Sequence, residues 1–382
     1  MNKGIYFHNF GDVKDVIIIG GGLAGLFNAI LLNRAGLSVR LFEEKPYPFH
    51  RVCGEYISNE VIPFLESNNL FPSELKPSNI TQFQLSAISG ESLEMPLDLG
   101  GFGISRYRYD HWLANKAKSE GVEITHRRII EGGFESDRHT VEDKSGDRYQ
   151  AKIVIGAFGK RSTFDKSLRR KFITKRSPYV GVKYHIKTDL VDDDLIALHN
   201  FRNGYCGVSR VENDVFNLCY LSHRENLKNH GSIAIMEKKV LMKNPFLKEI
   251  FSDSDFLFEK PQVINEITFE KKEPIFNHIL MSGDASGMIT PLCGNGMAMA
   301  IHSAKILCEL IIENLDGSFD RQKLEKEYSI AWNRQFANRM AMGRSIQKLF
   351  GSEWVSKSAV VLAQKFRPFA QVLMRQTHGQ PF

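Results

Sequence analysis

Val16-Ile-Ile-Ile-Gly-Gly-Gly-Leu-Ala-Gly25 is the stretch on which the reading of this fold turns. Val16 to Ile19 is a short β-branched run, the pattern of a strand buried on both faces. Gly20, Gly22 and Gly25 follow in G-x-G-x-x-G spacing. Leu23–Ala35 reads as a helix stopped by Gly36, and Ser38–Glu43 as the next strand, with Glu43 ending it 18 residues after Gly25. The layout has a chemical logic. Gly20 allows a tight turn, Gly22 lets the backbone approach a pyrophosphate, and Gly25 lets helix and strand pack closely. The helix start offers free N–H groups and positive potential to phosphates, and the acid accepts from ribose hydroxyls. Leu23, Ala24 and Glu44 are counted with this candidate site; the alternative for Glu44 is plain solvated charge. Glu43 disfavours a 2′-phosphate here, but the motif alone does not say which dinucleotide binds.

Outward from that unit, 382 residues allow two or three domains, and 42% apolar residues supply a core without staples. The five cysteines are scattered and none forms a CxxC pair. That argues for a reducing, cytoplasmic compartment and against a disulfide framework or a metal site. The longest apolar run, Val16–Leu32, contains four glycines and Asn28, so it reads as strand, turn and helix rather than signal peptide or membrane span. Charge is uneven. From residue 331 onward eight basic residues (Arg334, Arg339, Arg344, Lys348, Lys357, Lys365, Arg367, Arg375) face one acid, Glu353, and so carry essentially all of the net +6. This tail reads either as a solvated helical face or as a contact for an anionic membrane surface or an acidic partner. Nucleic acid is disfavoured, because no binding motif accompanies the charge.

A second glycine-rich segment stands far from the first: Met281-Ser-Gly-Asp-Ala-Ser-Gly-Met-Ile-Thr-Pro-Leu-Cys-Gly-Asn-Gly-Met297. A nicotinamide dehydrogenase has no need of it, whereas a flavin does. Gly283-Asp284 can present a carboxylate to a ribitol chain. Gly294, Asn295, Gly296 and Met297 can present backbone N–H groups to an isoalloxazine edge at the start of a helix, whose positive end favours negative charge on the reduced ring. Pro291 and Leu292 are expected to line the ring, and Cys293 has no assigned chemistry.

This segment resembles the second FAD motif of the p-hydroxybenzoate-hydroxylase-like flavoproteins, and among them the geranylgeranyl reductase family. There G-D-A, a following proline and a G-x-G before a helix recur. Ser286-Gly287 after G-D-A is closer to the reductases than to the hydroxylases, many of which carry histidine. Arg51-Val-Cys-Gly-Glu55 looks like the reductases' Cys-Gly segment, and Ser105-Arg106, followed by Asp110-His-Trp-Leu113, like the arginine that touches FAD. The resemblance spans most of residues 15–310. It implies FAD as cofactor, with Arg51, Cys53, Gly54 and Arg106 as contacts. It implies Cys53 over the isoalloxazine as a proton donor or pocket-shaping group. Glu55 is then an acid or a substrate-orienting group, or alternatively one half of a salt bridge. Gly156-Ala-Phe-Gly-Lys-Arg-Ser162 resembles the middle motif through Gly159, although Phe158 replaces its aspartate. Tyr205-Cys-Gly-Val-Ser209 lies where the reductases carry an aromatic signature ending in Phe-Pro, and lacks it. The Trp-x-Trp-x-Ile-Pro signature of flavin halogenases is missing too.

The expected fold is α/β: a Rossmann-type FAD-binding domain (1–80, 98–170, 270–345) interleaved with a sheet-rich substrate domain (81–97, 171–269), then a helical C-terminus (346–382). Strands are expected at Gln82–Met95, 179–224 and 256–269, and a helix near Ile233–Met242. Asp110 is expected to cap a helix running to Glu120. Among Tyr179, Tyr184, Phe201, Tyr205, Phe216 and Tyr220, some should line an apolar pocket; His302 reads as a core histidine. With only one dinucleotide fingerprint, NADH, NADPH or a separate carrier would reduce the flavin transiently. The expected activity is hydride transfer to a carbon–carbon double bond of an isoprenoid- or polyketide-like substrate. The alternatives are hydroxylation of an aromatic or polyketide substrate and a non-catalytic flavin scaffold.

Overall fold

The computed structural model describes residues 13–288, 295–315, 317–347, 351–366 and 379–382. Two sheets organise it. The first holds β1 (Lys14–Ile19), β2 (Val39–Phe42), β6 (Glu123–Thr125), β7 (Ile129–Glu135), β8 (Arg138–Asp143), β9 (Arg148–Gly156), β16 (Ile275–Phe276) and β17 (Ile279–Met281). Its parallel heart runs β17-β9-β1-β2-β6, with β7, β8 and β16 added antiparallel. The second holds β3 (Tyr56–Ser58), β4 (Ser78–Ser86), β5 (Ser92–Gly103), β10 (Tyr179–Lys187), β11 (Leu195–Phe201), β12 (Gly204–Arg210), β13 (Phe216–His223), β14 (Asp255–Phe256) and β15 (Gln262–Ile267). Its order is β14-β10-β13-β12-β11-β4-β5-β3, with β15 also on β10. All its pairs are antiparallel except β4 with β11.

The helix Leu23–Arg34 is buried almost all round, because β1 lies on one side of it and the helix Gly296–Leu315 on the other. Leu26, Ile30, Ile301 and Leu307 are fully buried there, each contributing about 1.5–3 kcal/mol relative to exposure. Arg321–Gln347 adds Tyr328, Trp332 and Phe336 to the same core. A second core, with Tyr184, Phe201, Phe216 and Tyr220, lies between the second sheet and the helices Ile233–Lys239 and Pro245–Asp253. Among the described residues no helix is long and apolar enough to cross a membrane. Cys53, Cys206, Cys219 and Cys308 are free thiols.

Three local expectations change. The helix expected from Asp110 begins at Arg106, and Ser105 is its cap, its Oγ accepting from the Arg108 N–H at 3.3 Å. Asp110 lies inside the helix, where its carboxylate has other partners. The Gln82–Met95 strands extend outward to Ser78 and Gly103, so residues 98–103 and Tyr56–Ser58 join the second sheet. The single helix near 233–242 is one of three short ones, Arg224–His230, Ile233–Lys239 and Pro245–Asp253.

Candidate flavin and substrate site

The first glycine motif has the geometry its spacing demands. Gly20 takes φ +106°, and a Cβ there would stand 2.5 Å from the Ala157 carbonyl oxygen. A Cβ on Gly25 would overlap the Gly20 carbonyl oxygen, so only glycine lets the helix come this close. Glu43 follows β2 directly. Its carboxylate accepts from the N–H groups of Gly21 (3.0 Å) and Lys45 (3.1 Å) and pairs with Arg51 Nη2 at 2.9 Å. Glu44, by contrast, is half-exposed and paired with Arg128 at the rim.

The second glycine-rich segment meets the first. Gly283 (φ +63°) sits so near the helix start that a Cβ would lie 2.8 Å from Ala24 Cβ. Asn28 Nδ2 donates to Ser282 Oγ at 3.0 Å, and the Gly283 N–H donates to Ser303 Oγ at 2.8 Å. The Gly283–Ala285 turn is held from behind by two buried cations that the sequence reading missed. Lys272 Nζ donates to the carbonyls of Asp284 and Lys160, both at 2.7 Å. Arg170 donates to the Ala285 carbonyl at 2.9 Å and pairs with Asp165 at 3.0 Å. Burial lowers the Lys272 ammonium to about 8. Nothing in the local sequence marks either residue; each looks like surface charge until the fold covers it.

One cavity of about 1480 Å³ joins both segments. Gly20, Gly22, Leu23, Ala24, Glu43, Glu44, Arg51, Cys53, Gly54, Glu55, Arg106, Gly159, Gly283, Asp284, Gly296 and Met297 all border it. Gly25 stands behind it as a packing residue, and Asn295 is buried just before the helix Gly296–Leu315. Pro291 and Gly294, with Leu292 and Cys293, lie outside the described residues. A Cβ on Gly54 or Gly159 would meet nothing within 4 Å, so bare backbone faces the cavity there. Phe158, in the aspartate's place, turns into a ring contact with Phe164 at 5.6 Å. Beyond the glycines the wall becomes apolar, with Phe83, Leu85, Leu93, Met95, Leu97 and Leu198 from β4, β5 and β11. Of the six aromatic residues expected near a pocket, Tyr205 and Tyr220 border it. The volume exceeds the roughly 300–1,000 Å³ usual for a small-molecule pocket.

Between the two ends lies a network of charge. Asp110 takes Arg106 in a two-pronged pair (2.6 and 2.7 Å) and Arg51 Nε at 3.0 Å. The Cys53 thiol lies close enough to Arg106 to act on it electrostatically. Glu55 is fully buried at φ +55°. It accepts from the Arg106 N–H at 2.7 Å, meets His185 Nε2 at 2.7 Å and pairs with Lys183. Burial would raise its carboxyl, but Lys183 and His185 hold it down to about 2. Glu55 is thus engaged by three partners, the arrangement of the salt-bridge alternative. Lys183 and His185 sit on β10, so this network ties the second sheet to the 51–55 loop; the sequence reading missed both. His302 is buried and stacks on Phe382 at 3.7 Å, a core histidine.

The chemistry of these residues fits FAD: a glycine cradle at a helix start, an acid beyond the second strand, and a second backbone-lined turn at the same cavity. Residues 13–199 match the family model described as an FAD binding domain. The chain is an FAD-dependent oxidoreductase. This oxidoreductase is 26% identical over 342 residues to the digeranylgeranylglycerophospholipid reductase of Picrophilus torridus, covering 82% of this chain and 81% of that one. Its fold is shared with a geranylgeranyl bacteriochlorophyll reductase-like protein of Thermoplasma acidophilum (TM-score 0.76, 18% identity, 91% of each chain). It is shared equally with the flavin-dependent brominase Bmp2 (TM-score 0.77, 15% identity, 96% and 94%). The fold therefore spans different flavin chemistries.

Proposed function

We propose that this oxidoreductase reduces a carbon–carbon double bond of a long apolar substrate, isoprenoid- or polyketide-like. The observation that carries the proposal is one cavity with a glycine-lined floor at one end and an aliphatic wall from β4, β5 and β11 at the other. The reductase relatives support the same reading. Bound FAD supplies the hydride. The residues around it supply the rest. Hydride adds to one carbon and a proton to the other; Cys53, which borders the cavity, is the proton donor, and Arg106 beside it faces the thiolate left behind. Asp110 and Glu55 hold Arg106 and the 51–55 loop in place, and the apolar wall excludes water from the reacting end. Two electrons arrive from NADH, NADPH or a separate carrier that docks transiently.

Stopped-flow reduction and reoxidation of the purified holoenzyme tests this, with a geranylgeranyl-chain lipid and an alkenyl polyketide as substrates. The expected result is anaerobic formation of the saturated product and slow reoxidation of the reduced enzyme by O₂. Rapid reoxidation with labelled oxygen from O₂ in the product overturns the reductase reading and makes the enzyme a monooxygenase.

A further inference from the structure

The helix Glu353–Lys365 lies across the outer end of the cavity. Its inner side is anchored. Ser356 and Val360 are buried, Val360 against Leu93 and Met95 of β5. Gln364 Nε2 donates to the Ser92 carbonyl at 2.8 Å, and Lys357 pairs with Glu91 at 2.6 Å. Its outer side is the reverse of an ordinary surface helix. Trp354 is 83% exposed, Phe366, just past the helix end, 57%, Leu362 49% and Val355 39%. Positions 354, 355, 362 and 366 fall on one side at helical spacing, so four large apolar side chains form one stripe facing out.

This stripe is also the lip of the cavity: Trp354, Val355 and Leu362 border the same space as the aliphatic wall and the glycine floor. A contiguous exposed apolar surface marks a docking site. Two observations select the partner. An exposed tryptophan at the start of the helix and an exposed phenylalanine just past its end suit the boundary between headgroups and acyl chains. The segment that carries the helix also holds essentially all of the chain's net positive charge, with exposed Lys365 beside Phe366, which complements an anionic leaflet.

We infer that this helix lies on the surface of an anionic bilayer, with Trp354, Leu362 and Phe366 inserted at the acyl boundary and the cavity mouth facing lipid. An apolar substrate then enters without crossing water. Substrate entry rests on the proposed apolar-substrate reading; attachment to the bilayer does not.

The full chain, loaded with flavin, is mixed with vesicles of phosphatidylcholine alone and of phosphatidylcholine with phosphatidylglycerol. Binding is read by sedimentation and by tryptophan emission, at about 0.01 M and about 1 M salt, where the Debye length falls from about 30 Å to about 3 Å. The expected result is binding to the anionic vesicles that weakens at high salt, with a blue shift and quenching by lipids brominated along the acyl chain. Of the other two tryptophans, Trp332 is buried and Trp112 stacks on Tyr109 with ring centroids 6.1 Å apart, so Trp354→Phe should abolish the shift while sedimentation persists, which assigns the signal without relying on a disruptive variant. Leu362→Glu should weaken binding by roughly tenfold or more, with flavin content and circular dichroism unchanged as the check on folding. No binding to either vesicle overturns the inference. So does a shift that survives Trp354→Phe, binding indifferent to salt and to Leu362→Glu, or a vesicle-free dimer in which Trp354 is already protected. None of these readouts depends on turnover, so a failed reductase assay and a failed vesicle assay are separate outcomes.

Discussion

Replacing Glu55 with glutamine isolates one charge at the junction of the two sheets. Glutamine keeps an acceptor for the Arg106 N–H and nearly the same volume, so the perturbation is electrostatic. The same Oε1 accepts from Lys183, whose side chain is fully buried, so Lys183 keeps that acceptor and the Arg51 carbonyl (3.3 Å) but loses its countercharge. Stranding one partner of a buried pair costs about 3–5 kcal/mol. The depressed carboxyl leads to a figure of the same size. The carboxyl, ordinarily near 4.5, sits at about 2 in the folded protein because Lys183 and His185 outweigh its burial; that difference corresponds to about 3 kcal/mol. The sign follows. A folded-state value below the unfolded one stabilises fully above about pH 4.5, and that stabilisation fades as pH falls towards about 2. Urea unfolding of wild type and Glu55→Gln, followed by circular dichroism and flavin release, should differ by about 3 kcal/mol near pH 7. The gap should narrow steadily on acidification below about 4.5. A gap under about 1 kcal/mol near neutrality, or one that does not change with pH, refutes the assignment of Glu55 as a buried ionised anchor. A variant that folds with wild-type stability but turns over no substrate would restore Glu55 as an acid.

Gly25→Ala places a methyl on the Gly20 carbonyl oxygen; the variant should purify without flavin, and a normal flavin absorbance ratio would contradict the close-packing argument. Cys53→Ala should keep its flavin yet lose roughly 10²-fold or more in substrate-dependent reoxidation under anaerobic conditions, whereas unchanged turnover removes Cys53 as donor. His50, lowered to about 4 by burial and by Lys183 and His185, should stay neutral above about pH 5, so its ring resonances should not titrate between about pH 5.5 and 8.

The fold was legible where chemistry is local. A strand, a glycine turn, a helix and an acid in one run of 28 residues, Val16 to Glu43, carry their own reason for their spacing, and β1, the helix and β2 lie within a residue or two of expectation. The segment around Asp284 was legible for the same reason: G-D-A and the small residues after it announce a close backbone approach, which Gly283 against Ala24 displays. Asp110 was misread because aspartate favours caps and no sequence rule weighs a cap against two arginines. Its i,i+4 spacing from Arg106 was the available signal, and Ser105 was the better cap on chain position alone.

The charge network is a different case, and β10 shows why. Tyr179-Val-Gly-Val-Lys-Tyr-His-Ile-Lys187 alternates cleanly, with Val180, Val182, Tyr184 and Ile186 on one face and Gly181, Lys183 and His185 on the other. Alternation of this kind ordinarily means a core face and a solvent face. Here residues 180–186 are all buried, because the polar face is pressed on the 51–55 loop rather than on water. A solvated reading of Lys183 and His185 is wrong only if something covers them, and that something, Glu55, lies 128 residues earlier in the chain. Pattern reveals which face a residue occupies; the identity of what lies opposite is a property of the closed fold. The residues on which the 51–55 loop depends are therefore the ones a sequence rule assigns to the surface. Motifs alone name groups that border the cavity and omit the ones that hold them there.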